Sequence, residues 1–161
     1  MTRKGALLLA LSRAGRVLSR RFGRVTYRQK RRADLVTAAD LESQKVVLAV
    51  IRDAFPEDDY QAEEDAVRST GAEHSWIIDP LDGTTNYAHG YPASCVSIGV
   101  LRRGRPLLGG VYDPSRDELF LAEKGRLLNR ISRPPRAQRD CWLKKLPTSE
   151  GPMPTASTSG M

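Results

Sequence analysis

Between Trp76 and Pro92 the chain reads WIIDPLDGTTNYAHGYP, an apolar run that ends in two carboxylates three residues apart, then a glycine and two threonines. Asp79 and Asp82 at the end of a strand, with Pro80 and Gly83 shaping a turn, can aim both carboxylates and the Leu81 carbonyl at one point. Such an all-oxygen set suits a hard divalent ion like Mg²⁺, which takes carboxylate, carbonyl and water ligands. Glu63 and Glu64 in the preceding segment add enough negative charge for more than one ion. Gly83, Thr84 and Thr85 stand where the strand turns into a short helix, and the unpartnered N–H groups of a first helical turn favour a phosphate oxygen. A cation site beside an anion site points to phosphate-ester chemistry. Alone, Asp-x-x-Asp-Gly is more often an ordinary turn and a glutamate pair more often a solvated loop. Their conjunction behind an apolar strand reverses that preference.

The other reactive side chains fit structural roles better. An oxygen-rich site for a hard ion has no need of imidazole, so His74 and His89 are read as structural. Cys95 opens a buried strand and is read as a small core residue rather than a nucleophile. Trp76 and Tyr87 are read as packing groups.

The elements that must position these residues follow from hydrophobic period. Leu7, Leu11, Ala14, Leu18 and Phe22 recur at helical spacing, with Arg13, Arg16, Arg20 and Arg21 on the other faces, so the spacing predicts an amphipathic first helix ending near Gly23. Thr37 to Asp40, TAAD, has the form of a capping box, and Leu41, Val46, Val47, Val50, Ile51 and Ala54 supply the apolar stripe of a second helix that stops at Pro56. Then the period shortens: SWIID, CVSIGVL, PLLGGVYD and ELFLAE read as strands, the last three joined by the hairpin-length connections RRGR and DPSRD. Two helices followed by a mainly antiparallel sheet predict an α+β layered sandwich rather than alternating βαβ units.

After Gly125 this regularity is lost. Residues 126–161 carry five of the chain's ten prolines, show no sustained period and end in a Ser/Thr/Gly/Pro tract, so a domain over residues 1–125 and a disordered tail over 126–161 are expected. The formal net charge of +7 divides into +11 over residues 1–32, −9 over 33–125 and +5 over 126–161. An acidic centre between basic ends suits a cation site better than a phosphate-backbone groove, and no specific nucleic-acid partner is expected. The run ALLLAL is too short for a membrane span and lacks a cleavage site, so no membrane role is expected. Cys95 and Cys141 form no CxxC pair, and a reducing, cytoplasmic setting fits them.

The segment from about Lys30 to Gly125 resembles the inositol monophosphatase family, within the Mg²⁺-dependent, lithium-sensitive phosphatases. WIIDPLDGTTNYAHGYP is close to that family's most diagnostic signature, AEED resembles its glutamate pair, and ADLVTAAD its segment before the second helix. The resemblance implies that Glu63, Asp79 and the Leu81 carbonyl bind a first Mg²⁺ and that Asp79 and Asp82 share a second. It makes Thr84, hydrogen-bonded toward Glu63, an orienting group for the attacking water, so that Glu63 and Thr84 are the catalytic pair. Asp82, Gly83, Thr84 and Thr85 would bind substrate. The implied activity is hydrolysis of inositol monophosphate or a similar small polyol phosphate by a metal-activated water, and the family implies a possible homodimer.

The family continues through a second α/β half with a Trp-Asp signature, whereas CWLKK has Trp142 without a following Asp. Past EKG this chain runs RLLNRISRPPRAQ in place of a Gly-rich segment. The chain is therefore expected to hold only the N-terminal half, with a tail of the kind a shifted reading frame produces, to fold poorly and to show little turnover. Three functions stay open: the polyol phosphatase; a fructose-bisphosphatase, histidinol-phosphatase or nucleotide-phosphate phosphatase of the same superfamily; and an inactive fragment that binds a partner through its basic helix.

Overall fold

A computed structural model describes residues 1–24, 27–31, 34–63 and 66–132, with the backbone alone for 27–31, 34–36 and 126–132. Its elements run α1 (Arg3–Arg21), β1 (Tyr27–Arg31), β2 (Asp34–Thr37), α2 (Ala38–Ala54), β3 (Asp59–Ala62), β4 (Val67–Arg68), β5 (His74–Asp82), α3 (Thr84–Ala88), β6 (Cys95–Arg102), β7 (Arg105–Asp113), β8 (Glu118–Glu123) and β9 (Arg126–Ser132). A seven-stranded sheet has the order β4-β3-β5-β6-β7-β8-β9, and β1 and β2 form a separate hairpin. Every pairing in the large sheet is antiparallel except that of β3 with β5. This is the α+β layered arrangement expected from the sequence.

Helix α1 begins where the Thr2 hydroxyl accepts from the Gly5 N–H, and its buried face includes Leu7, Leu8, Leu11, Ala14 and Leu18. That face lies on β6 and β7, where the absence of side chains at Gly110 and Gly15 permits close approach. A Cβ at Gly110 would stand 2.6 Å from Leu11 Cδ1, and one at Gly15 would overlap the Tyr112 ring. Helix α2 opens on the expected capping box: Thr37 accepts from the Ala39 and Asp40 N–H groups, and Asp40 accepts from the Thr37 N–H. Its buried stripe contains Val47, Val50 and Ile51 as predicted, together with Ala39, Ser43 and Leu48. Leu41 corrects the prediction, being 45 % exposed. The stripe starts from Ala39 and Ser43, and Leu41 lies between them on the outward side.

The RRGR connection is a tight hairpin in which Arg103 and Gly104 both take positive φ, 50° and 72°, matching the twist of the flanking strands. At the DPSRD turn, Asp113 Oδ1 accepts from the Ser115 and Arg116 N–H groups. Strand β9 pairs with β8 as far as Ser132, so the sheet passes the expected boundary at Gly125 by one seven-residue strand. Hydrogen bonding along the β8 edge supplies an order that composition did not reveal. The remainder of the expected tail, 133–161, lies outside the described residues. Among the described residues, no helix is long and apolar enough to cross a membrane.

Candidate active site at the end of strand β5

Two register relations assemble the site. Strand β3 runs parallel to β5 with Ala62 opposite Ile78, and the Glu63 N–H donates to the Ile78 carbonyl at 3.2 Å. The residues that follow, Glu63 and Asp79, are therefore brought side by side, and their side chains share a hydrogen bond. On the other side of β5, the pairing with β6 is interrupted between Asp79 and Asp82. That irregularity frees the strand end to turn, and the Leu81 N–H donates back to Asp79 Oδ1 at 3.1 Å. The Leu81 side chain is buried, 1 % exposed, which anchors the turn. Asp82, opposite Cys95, accepts from its thiol with Sγ 3.7 Å from Oδ2.

Gly83 follows in the left-handed conformation, φ 83° and ψ 34°. A Cβ here would lie 2.7 Å from the Ala93 carbonyl oxygen, so both conformation and space demand glycine. Helix α3 starts at Thr84. The resemblance turns the Thr84 hydroxyl toward Glu63; in the structure Thr84 Oγ1 lies 3.1 Å from Asp40 Oδ1 and 3.0 Å from the Leu81 carbonyl. Glu63 is engaged by Asp79, whereas Asp40, 1 % exposed, faces α3 from the first turn of α2. Ser43, one turn on, donates to the Pro80 carbonyl at 2.7 Å. Asp40 thus caps one helix and holds the first residue of another. Spacing along the chain reveals only the cap, because the second contact spans 44 residues.

Burial and the like charges of Asp82 and Asp40 hold the Asp79 carboxyl above its ordinary range, against the opposing hydrogen bond from Glu63. Like charges this close share a proton or take up a cation. Among the described residues no three His, Cys, Asp or Glu side chains converge closely enough to hold a metal ion; the carboxylates stand instead as a Glu63–Asp79 pair beside Asp82. Their chemistry nevertheless fits a hard divalent ion, since the donors are all oxygens. The second glutamate of the expected pair, Glu64, lies outside the described residues.

The remaining residues stand around this centre, Cys95 against Asp82 itself. Thr85 is exposed, and its carbonyl accepts from the His89 N–H at 3.2 Å. His89 Nδ1 stands 2.8 Å from the same oxygen. His74 begins β5, five residues and about 16 Å along the strand from Asp79. Burial and the neighbouring Asp82 push the Cys95 thiol up to about 12, which keeps it protonated and inert as a nucleophile. Trp76 and Tyr87 are both buried and pack as expected.

The family model for the inositol monophosphatase family matches residues 2–159, a span that includes the segment after Gly125. The chain belongs to the inositol monophosphatase family. It is similar to an inositol-1-monophosphatase of Mesorhizobium japonicum, 41 % identical over 123 residues that make up 74 % of this chain and 46 % of the relative. It is 37 % identical over 120 residues to a fructose-1,6-bisphosphatase/inositol-1-monophosphatase of Aquifex aeolicus, covering 73 % of this chain and 46 % of that protein. Among solved structures it resembles an IMPase/NADP phosphatase complexed with Mg²⁺ and phosphate, with a TM-score of 0.67 and 30 % identity over 74 % of this chain and 47 % of the other. The chain spans about half the length of the curated relatives it matches.

Proposed function

We propose that this chain carries the metal- and water-positioning machinery of a Mg²⁺-dependent phosphomonoesterase acting on inositol monophosphate or a similar small polyol phosphate. The observation that carries the reading is the juxtaposition at the end of β5 of the Glu63–Asp79 carboxyl pair, Asp82, and a threonine held by a buried aspartate. Glu63, Asp79, Asp82 and the Leu81 carbonyl would hold Mg²⁺. Bound there, the ion supplies a polarised water and offsets the charge of the phosphate ester. When Thr84 donates its single hydroxyl proton to Asp40 Oδ1, its oxygen lone pairs turn outward to accept a hydrogen from the attacking water. Asp40 stands behind it as the acceptor for that proton. The first turn of α3, entered through Gly83, presents N–H groups without helical acceptors to the phosphate oxygens. The half-buried free thiol of Cys95 is in keeping with a cytoplasmic setting.

The names of the Aquifex relative and of the solved phosphatase favour a second reading, hydrolysis of fructose 1,6-bisphosphate or of a nucleotide phosphate such as NADP, by the same machinery. Phosphate release from inositol 1-phosphate, fructose 1,6-bisphosphate and NADP, each with and without Mg²⁺, separates the two. Mg²⁺-dependent release from the inositol ester, at the low turnover expected of a chain that spans about half the length of its relatives, is the expected result. Calorimetric titration with Mg²⁺ or Mn²⁺ tests the cage directly. Asp79→Asn should abolish measurable binding, and unchanged binding would show that the ion sits elsewhere. Ion binding without turnover on any of the three esters would favour a non-catalytic role.

A further inference from the structure

Ser43 stands on the buried face of α2, between Ala39 and Val47, and is 0 % exposed. Alanine would make the better helix there, and a serine within a helix commonly turns its hydroxyl back on its own helix. Ser43 instead sends its proton across 37 residues of chain, to the Pro80 carbonyl at 2.7 Å. That carbonyl belongs to a peptide outside the β5–β6 ladder. The register passes from Asp79 opposite Ser97 to Asp82 opposite Cys95 and gives Pro80 and Leu81 no partner in β6. In a planar trans peptide the carbonyl and the following N–H point in opposite directions. The Leu81 N–H, on the far side of the same peptide, donates to Asp79 Oδ1 at 3.1 Å. One peptide is therefore gripped from both sides, by α2 through Ser43 and by the Asp79 carboxylate. The next peptide carries the Leu81 carbonyl, 3.0 Å from Thr84 Oγ1.

We propose that Ser43 is a positioning residue for the ion site: by holding the Pro80 carbonyl it fixes the Pro80–Leu81 peptide and, through it, the aim of the Asp79 carboxylate and the Leu81 carbonyl. Without the hydroxyl the peptide is free to turn about its long axis, and the Leu81 N–H then releases Asp79 Oδ1. Ser43 touches no ligand atom itself and acts through the backbone between two ligands. Its role toward the ion rests on the proposed function, whereas its hold on the peptide does not.

Backbone amide exchange by NMR and calorimetric titration with Mn²⁺, both on the full 161-residue protein, test this. In metal-free Ser43→Ala the Leu81 amide should exchange about ten-fold faster relative to the Ile98 amide of the core strand β6, which reports global opening. Affinity for Mn²⁺ should fall by about ten-fold, as when a group behind a metal ligand is removed. Val50→Ala, 4 % exposed, loosens α2 two turns, about 10 Å, from Ser43. It should lower the melting temperature and leave both readings at those of the parent. Ser43→Cys keeps a weaker donor, should fall between the parent and Ser43→Ala, and serves alone if the alanine variant does not fold. An unchanged ratio of Leu81 to Ile98 exchange in the Ser43 variants, or an equal change in Val50→Ala, overturns the proposal and leaves Ser43 a tie between helix and sheet. Faster Leu81 exchange with unchanged Mn²⁺ affinity overturns its role at the ion. A parent that binds no Mn²⁺ defeats the proposed function instead, and the exchange ratio still decides whether Ser43 holds the peptide.

Discussion

Thr84 and Gly83 do their work through single atoms, and their substitutions should separate chemistry from folding. If Thr84 Oγ1 passes a hydrogen between water and Asp40, Thr84→Ala in a turnover-competent protein should lower hydrolysis by about a hundred-fold. Divalent-ion affinity should stay near that of the parent, because the carboxylates are untouched. Equal losses of affinity and turnover, read by calorimetry and phosphate release, would make Thr84 a structural residue. Gly83→Ala meets two obstacles: a left-handed φ of 83° and a Cβ 2.7 Å from the Ala93 backbone oxygen. Backbone cannot swing aside as a flexible side chain does, so a cost of at least about 1–3 kcal/mol is expected from denaturant unfolding.

At the scale of elements, the helices are held by ends and close approaches rather than by propensity. Thr37 caps α2 and also donates its hydroxyl to the Asp40 carboxylate, so Thr37→Ala should lower stability by about 1 kcal/mol. The same change should loosen the acceptor of Thr84 and reduce turnover, a coupling that a remote helix cap would not produce. Gly15, inside α1, tests which of two opposing effects wins. Gly→Ala in a helix interior ordinarily gains about 1 kcal/mol, but here the new methyl would overlap the Tyr112 ring. That ring is tethered by its hydroxyl to Asp117 Oδ1 at 2.7 Å, and overpacking costs about 1–3 kcal/mol. Gly15→Ala should therefore lower the melting temperature; a rise would mean that the helix rides up from the sheet at little cost.

Across the whole molecule, Asp58 joins the start of α1 to the sheet. Arg3 reaches both of its oxygens, at 2.9 and 2.8 Å, and Trp76 Nε1 donates at 2.9 Å. The Arg3 guanidinium also lies over the Phe55 ring, 4.5 Å from its centroid. Burial alone would raise the Asp58 carboxyl, but the hydrogen bonds from Arg3 and Trp76 outweigh it and hold it below its ordinary value. A carboxyl depressed on folding contributes stability that is present above its unfolded value, about 3.9, and is lost as pH falls through the folded one. Denaturant unfolding followed downward from neutral pH should thus show an acid loss below about pH 4, and Asp58→Asn should be less stable at neutral pH with a shallower acid slope. An unchanged slope would place the titration elsewhere, on Asp59 or Glu73, whose carboxyls are also held low. The sheet face turned away from α1 and α2 carries Ile77, 44 % exposed, so Ile77→Thr should cost far less than truncating the buried Trp76 beside it.

What the sequence determined by itself is what a few neighbouring residues can determine. The period of Leu7, Leu11, Ala14 and Leu18 makes α1, Thr37 and Asp40 start α2, Arg103 and Gly104 turn a hairpin, and WIIDPLDGTT ends a buried strand in carboxylates and enters a short helix. Each depends on contacts within about one helical turn or one strand pair, and each is visible as spacing. The tertiary structure decided what crosses longer separations. The parallel pairing of β3 with β5 puts Glu63 against Asp79, and the packing of α2 on β5 brings Asp40 to Thr84. It also left Leu41 in solvent and drew Arg126–Ser132 into the sheet. Side-chain types announce which chemistry is affordable, but which acid serves which hydroxyl depends on strand register and helix docking, and those are set by burial summed over the whole core rather than by any local pattern.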